Sequence, residues 1–137
     1  MLRVAAVTPK VHIGNVTKNV EEIQRLYQEY KDQADVIVTP ELSLTGYTCA
    51  DLFINRHLID HAVKGLLSLA KLTADAKGEA AALVVGLPVE KDGELFNCAA
   101  FLHGGRVVAV VPKTYLPNYG EFYEKRWFSG GRRDSEE

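Results

Sequence analysis

The stretch VIVTPELSLTGY (residues 36–47) decides how this chain folds. Three β-branched apolar residues, Val36, Ile37 and Val38, run without polar alternation into Thr39 and Pro40, and the next residue is Glu41. A short apolar run of this kind is expected of a strand covered on both faces, the usual setting of a parallel sheet. Proline has no N–H to give to a ladder, so pairing stops at Pro40 and the following side chain can turn off the end of the strand. A carboxylate delivered from a buried strand tip needs a partner. The stretch VVAVVPKTYLPNY (residues 107–119) supplies a candidate, because a valine-rich run there meets Pro112 and then Lys113.

Outward from these two runs the pattern is regular. RVAAVT (residues 3–8) reads as a first strand. NVTKNVEEIQRLYQEYKDQ (residues 15–33) reads as a helix that Asn15 or Thr17 can cap, with Val20, Ile23, Leu26, Tyr27 and Tyr30 on one face. A second helix is expected from about Ala50 or His57 to Lys77, burying Leu58, Ile59, Ala62, Leu66, Leu69, Ala70 and Leu72 and closed by Gly78. Then come an apolar strand, AALVVGLPVE (81–90), a tight KDG turn, a partner strand, ELFNCAAFLH (94–103), a GGR turn and the valine-rich strand. The glycines of GLPVEKDG and HGGR read as hairpin glycines, since neither leads from a strand into a helix with phosphate-loop spacing. The order β-α-β-α-β-β-β predicts an α/β fold, a mixed sheet with helices on one face. The second face finds no helix in this sequence to cover it, so the isolated chain is expected to self-associate.

Composition narrows the function. With 137 residues, 47% of them apolar, the chain has the size and core of one ordinary domain. A net charge of −2 argues against nucleic acid or an anionic membrane as partner. No apolar run is long enough to span a bilayer, and MLRVAAVTP lacks the parts of a signal peptide. The two cysteines, Cys49 and Cys98, show no CxxC spacing, which fits reduced thiols in a cytoplasmic protein.

In α/β sheets, ligands gather in the crevice at the carboxyl ends of the strands. Glu41 and Lys113 would both face it, and they can pair if their strands are neighbours. Such a pair is either a structural salt bridge at a sheet end or part of a reactive site, and spacing alone leaves both open. His57 and His61 stand four apart on a helix, yet no third ligand accompanies them, so no metal site is expected. Phe122, Tyr123, Trp127 and Phe128 are expected to form an apolar plug at the domain edge, against further sequence or a neighbouring subunit.

The wording TPELSLTGY (39–47), followed by VVPKTYLPNYGEFYEKRWF (110–128), resembles the carbon–nitrogen hydrolase, or nitrilase, superfamily. Within it, the chain looks like the glutaminase domain of the glutamine-dependent NAD synthetases. PKTYLPNYGEFYEKR is the most specific run, and GYTCADLF also suits that group. The resemblance covers residues 1–131, with a polar tail at 132–137. It implies a nitrilase-like α-β-β-α sandwich, of which this chain is the N-terminal half.

That family works with a glutamate, a lysine and a cysteine. By motif match Glu41 is the general base and acid, and Lys113 stabilises the oxyanion. The match further gives Glu121, eight residues past the lysine, as a supporting carboxylate and Tyr119 as an aromatic lining the glutamine pocket. The family's nucleophilic cysteine lies tens of residues beyond the lysine, so neither Cys98, mid-strand, nor Cys49, in the loop after Glu41, occupies its place. Cys49 remains conceivable as a compensating nucleophile. The implied protein releases ammonia from glutamine for NAD synthesis from a deamido precursor, and this chain alone is expected to be inactive. No metal or cofactor is implied in this domain, whereas ATP and Mg belong to an absent synthetase domain. The implied partners are glutamine, that synthetase domain and further copies in a homo-oligomer. Rival readings are a free-standing amidase or carbamoylase of the same superfamily, and a non-catalytic assembly module.

Overall fold

The computed structural model describes residues 1–119 and 122–131, with the side chains of residues 119, 122 and 123 outside the description. Strand β1 (Val4–Ala6) leads into helix α1 (Val16–Tyr30), and β2 (Val36–Val38) is followed by a 3₁₀ turn (Ala50–Ile54) and helix α2 (Arg56–Leu72). Three longer strands follow, β3 (Ala82–Lys91), β4 (Glu94–His103) and β5 (Arg106–Pro112). A two-residue pair, β6 (Asn118–Tyr119) and β7 (Phe122–Tyr123), and a 3₁₀ turn (Glu124–Arg126) complete the described chain.

Five strands form one mixed sheet in the order β1-β2-β3-β4-β5. The first three run parallel, as connections through helices require, and the last three antiparallel through two-residue turns. Asp92 and Gly93 in the first turn and Gly104 and Gly105 in the second all have positive φ, the geometry whose twist suits a tight hairpin. Gly86 lies in the middle of β3, inside the expected strand, and the turn glycine of GLPVEKDG is Gly93.

The two helices pack on one face of the sheet. Register places Leu83, Val85 and Leu87 of β3 opposite Leu102, Ala100 and Cys98 of β4, and all six are buried. Helix α1 contributes Val20, Ile23 and Tyr27, and α2 contributes Leu58, Ala62, Leu66 and Leu69. Each large apolar side chain fully removed from water stabilises the fold by roughly 1.5–3 kcal/mol, which makes this layer the main source of stability. Tyr27 is buried to its tip and donates its hydroxyl to the Ala81 carbonyl at 2.7 Å. The helices approach closely at Gly65, where a Cβ would stand 2.9 Å from Val20 and 3.0 Å from Val16.

Caps set the helix limits. Asn15 starts α1 by accepting the Lys18 N–H, and Asn55 starts α2 by accepting that of His57. Helix α2 stops at Leu72, five residues short of the expected Lys77, because Thr73 donates its hydroxyl to Ala70 O and accepts the Gly105 N–H. The opposite sheet face carries Val84 and Phe101 on β3 and β4, and Ala99 opposite an exposed Val111.

Candidate active site

Glu41 and Lys113 meet, though not by the route their strands suggest. Strands β2 and β5 are not neighbours, since β3 and β4 lie between them. The segment after Pro40 instead continues beside β3 where β2 has ended. Thr39 N–H donates to Val84 O at 3.0 Å and Leu44 N–H to Gly86 O at 3.0 Å, while Gly86 N–H donates to the Ser43 hydroxyl at 3.1 Å. The Thr39 and Ser43 hydroxyls share a hydrogen bond of 2.8 Å. A Cβ on Gly86 would lie 2.3 Å from the Leu42 nitrogen, so only glycine lets the crossing come this close. Leu42 itself takes a φ of +52° and is fully buried, an uncommon conformation held by its surroundings.

From the other side, Lys113 N–H donates to Asn97 O at 2.7 Å, extending the β4–β5 ladder one residue past Pro112. Its ammonium then reaches Glu41 Oε1 at 2.6 Å and Glu124 Oε1 at 2.9 Å. Glu124 is nearly inaccessible and also accepts the Tyr47 hydroxyl at 2.7 Å. Asn97, equally buried, donates its side-chain amide to Glu41 Oε1 at 2.7 Å and to Glu124 Oε2 at 3.5 Å. Two carboxylates therefore share one ammonium. Desolvation alone would lower the lysine pKa, but the hydrogen bonds to Glu41 and Glu124, with their charges, outweigh it and hold the pKa above the ordinary lysine value.

The exposures of the two carboxylates differ. Glu124 keeps 4% of its side chain accessible and Glu41 keeps 41%. Glu41 faces a cavity of about 340 Å³ whose lining includes Pro40, Gly86, Asn97, Cys98 and Lys113. A larger cavity, about 790 Å³, lies by the Lys91–Glu94 hairpin tip and 114–130 and contains neither Glu41 nor Lys113, so chemistry rather than size locates the site.

Neither cysteine presents an activated sulfur to this pair. Cys49 is buried at the start of the first 3₁₀ turn, its thiol directed to Thr45 O at 3.1 Å and Gly46 O at 3.4 Å, and burial pushes its pKa up. Cys98 lines the cavity, yet it too is buried, its sulfur lies 3.7 Å from Phe96 O, and desolvation pushes the thiol to about 11. The rings of His57 and His61 lie 4.8 Å apart with their planes tilted by 40°, and no group of three metal-binding side chains forms among the described residues.

The sequence reading missed three members of the site. Glu124 stood only inside the PKTYLPNYGEFYEKR wording with no role of its own, and the 3₁₀ turn sends it inward. Asn97 carried no signal beyond lying in a strand, and Tyr47 was read as part of the GYTCADLF wording. Tyr119 falls on β6 with its side chain outside the description, and Glu121 lies outside the described residues. The expected aromatic plug forms partly within this chain. Phe128 and Trp127 pack on Phe53 with ring centroids 4.9 and 6.0 Å away, and the Trp127 indole donates to Asp51.

The sheet brings a glutamate and a lysine from two strand ends to one cavity, with a second carboxylate on the far side of the lysine, and the family that the sequence matches is the carbon–nitrogen hydrolases. The sequence matches that family over residues 3–136, and the chain belongs to it. It is 37% identical over 131 residues to the glutamine-dependent NAD(+) synthetase of Mycobacterium tuberculosis, a match that covers 95% of this chain and 19% of the relative. The synthetase of Aquifex aeolicus is 34% identical over 119 residues, 87% of this chain and 20% of that protein. Among solved structures, the glutamine-dependent NAD+ synthetase from Acinetobacter baumannii superposes with a TM-score of 0.87 at 34% identity, covering 96% of this chain and 24% of the other. An amidase from Nesterenkonia sp. superposes with a TM-score of 0.77 at 26% identity, covering 96% of this chain and 49% of the amidase. The chain thus spans about a fifth of the synthetases and about half of the amidase.

Proposed function

We propose that this chain supplies the glutamate–lysine part of a glutaminase site, in a protein that releases ammonia from glutamine for NAD synthesis. The nucleophile is a cysteine from residues outside these 137. Glu41 takes the thiol proton, and the thiolate attacks the side-chain carboxamide of glutamine. Lys113 faces the oxyanion that forms on the carbonyl oxygen. Glu41 then returns the proton to the departing ammonia and, in the second half-reaction, takes one from the water that cleaves the thioester. Glu124 holds the lysine charged and in place. Tyr119, lining the glutamine pocket, and Glu121, supporting the geometry, are proposed from the resemblance. ATP and magnesium act on this reading in a synthetase region beyond these residues.

The observation that carries this reading is the doubly engaged lysine. A structural salt bridge needs one carboxylate, and buried Glu124 already fills that role at 2.9 Å. Glu41 is a second carboxylate, held at 2.6 Å and still open to a cavity, an arrangement that stability alone does not call for. The buried, raised thiols of Cys49 and Cys98 support a nucleophile from elsewhere. Likeness to synthetases over nearly the whole of this chain supports glutamine as the amide.

The test is a chimera in which this chain replaces the matching 131 residues of the Mycobacterium tuberculosis synthetase. It should hydrolyse glutamine, and Glu41→Gln or Lys113→Ala should lower turnover by at least about a hundredfold while NAD synthesis from free ammonia persists. A chimera that uses free ammonia but never glutamine would overturn the reading.

A further inference from the structure

The three charged groups of the site share a neutral neighbour that neither the family's glutamate–lysine–cysteine logic nor the mechanism above uses. Asn97 is almost fully buried in the middle of β4, and its two functional groups are engaged on different partners. Its main-chain carbonyl accepts the Lys113 N–H at 2.7 Å. Its side-chain amide donates to Glu41 Oε1 at 2.7 Å and, more weakly, to Glu124 Oε2 at 3.5 Å. A single residue thus fixes the lysine through the backbone and both carboxylates through the side chain.

The two oxygens of Glu41 are consequently unequal. Oε1 accepts both the Lys113 ammonium and the Asn97 amide. Oε2 has no hydrogen-bond donor among the described residues. An oxygen already accepting two strong donors is the poorer proton acceptor, because protonation would displace one of them. We propose that Asn97 is a positioning residue that, with Lys113, ties down Oε1 of Glu41 and so leaves Oε2 as the oxygen that exchanges protons with the reacting groups.

A second consequence concerns charge. Glu41 and Glu124 both converge on one ammonium, so two acidic groups stand close together around a single positive charge. Lys113 carries only one positive unit, and the Asn97 amide, presenting N–H to both carboxylates, joins the Tyr47 hydroxyl on Glu124 in supplying further donors to the pair. Leucine at 97 would fill similar space and offer nothing to either oxygen. Aspartate would keep the shape, turn a donor into an acceptor and add a third negative charge.

The assignment of Oε2 to the chemistry rests on the amide-hydrolysis reading, whereas the tether itself can be measured without turnover. The experiment is a carbon-detected NMR titration of the side-chain carboxyl of Glu41 in the chain itself, in Asn97→Leu and in Asn97→Asp. The charged and titratable groups facing the Asn97 amide are Glu41, Glu124 and Lys113, with Tyr47 on the far oxygen of Glu124. Loss of a hydrogen bond to a charged group predicts roughly tenfold tighter proton binding by Glu41 in Asn97→Leu, and a larger change in Asn97→Asp. Exposed Glu29 serves as an internal reference that should not move. If Asn97→Leu fails to fold, Asn97→Ser, smaller and with a shorter donor, should read a shift of the same sign. A Glu41 titration within about twofold of the parent in a folded variant would overturn the tether, whatever happens to stability. A chimera without glutaminase activity would sink the amide reading and leave this titration result standing.

Discussion

The ends of β2 and β5 look alike in sequence, each an apolar run, a proline and a charge, but they are built differently. After β2 the chain is packed in place. Leu42, Leu44 and Thr45 have no accessible surface, and hydroxyls and main-chain bonds fasten residues 39–44 to β3. After β5 the chain is exposed. Tyr115 lies in solvent, and Lys113 is located by two main-chain bonds, from its N–H to Asn97 and from Gly131 N–H to its carbonyl. One charge is positioned by a buried crossing and the other by ladder bonds. The first should therefore be sensitive to volume and the second to the partners of its side chain.

The largest expected effect tests the crossing. Gly86→Ala sets a methyl group against main chain rather than against a movable side chain, and should cost about 3 kcal/mol in urea unfolding, at the upper end of overpacking penalties. A loss below about 1 kcal/mol would show that the crossing yields easily, and the contrast between the two strand ends would fail.

Next comes the lysine. Lys113→Met leaves buried Glu124 with only neutral donors, and should destabilise by roughly 2 kcal/mol, less than a fully buried pair because Lys113 is 31% exposed. The folded-state pKa of Lys113 is raised, so its contribution is complete below the ordinary lysine value and fades only as pH climbs through the raised one. The penalty should therefore be the same across about pH 7 to 9, and a marked fall within that range would contradict the shared ammonium.

Cys98 gives a smaller effect confined to alkaline pH. Burial raises its thiol from 9.0 to about 11, so the folded state keeps a proton that the unfolded state has lost between those values. Stability should fall across that window, by at most about 1.4 kcal/mol per pH unit, and Cys98→Ala should flatten the slope. A thiol that reacts rapidly with iodoacetamide at neutral pH would instead mark Cys98 as an activated nucleophile. The smallest change is expected for Glu41→Gln, below about 0.5 kcal/mol, because the Glu41 side chain is 41% exposed and Lys113 keeps Glu124. Near-neutral stability with a large loss of turnover in the chimera would separate a reactive carboxylate from a structural one.

Much of this was legible beforehand. The apolar stripes of both helices, a cap at Asn15 or Thr17, the two hairpin turns and the parallel-then-antiparallel order follow from periodicity and turn residues, which act over a few neighbouring positions. The contact between Glu41 and Lys113 was legible as a possibility, through the prolines that end each strand. Its route was not. Adjacent strands were the expected means, whereas the actual means is the missing side chain at Gly86, a strand residue that gives no local sign of the crossing beside it. Likewise the end of α2 depends on Thr73 meeting Gly105, some thirty positions away in sequence.

Local chemistry in the chain thus determined the elements, the helix-covered core and the two charges sent off the strand tips, because periodicity, caps and prolines act where they stand. Only the tertiary structure decided that Glu124 turns inward, that Asn97 joins both carboxylates, and that Glu41 keeps one oxygen engaged and one open. Those outcomes depend on which groups burial forces to share hydrogen bonds. That sharing is settled between segments tens of residues apart, when water is removed from around them.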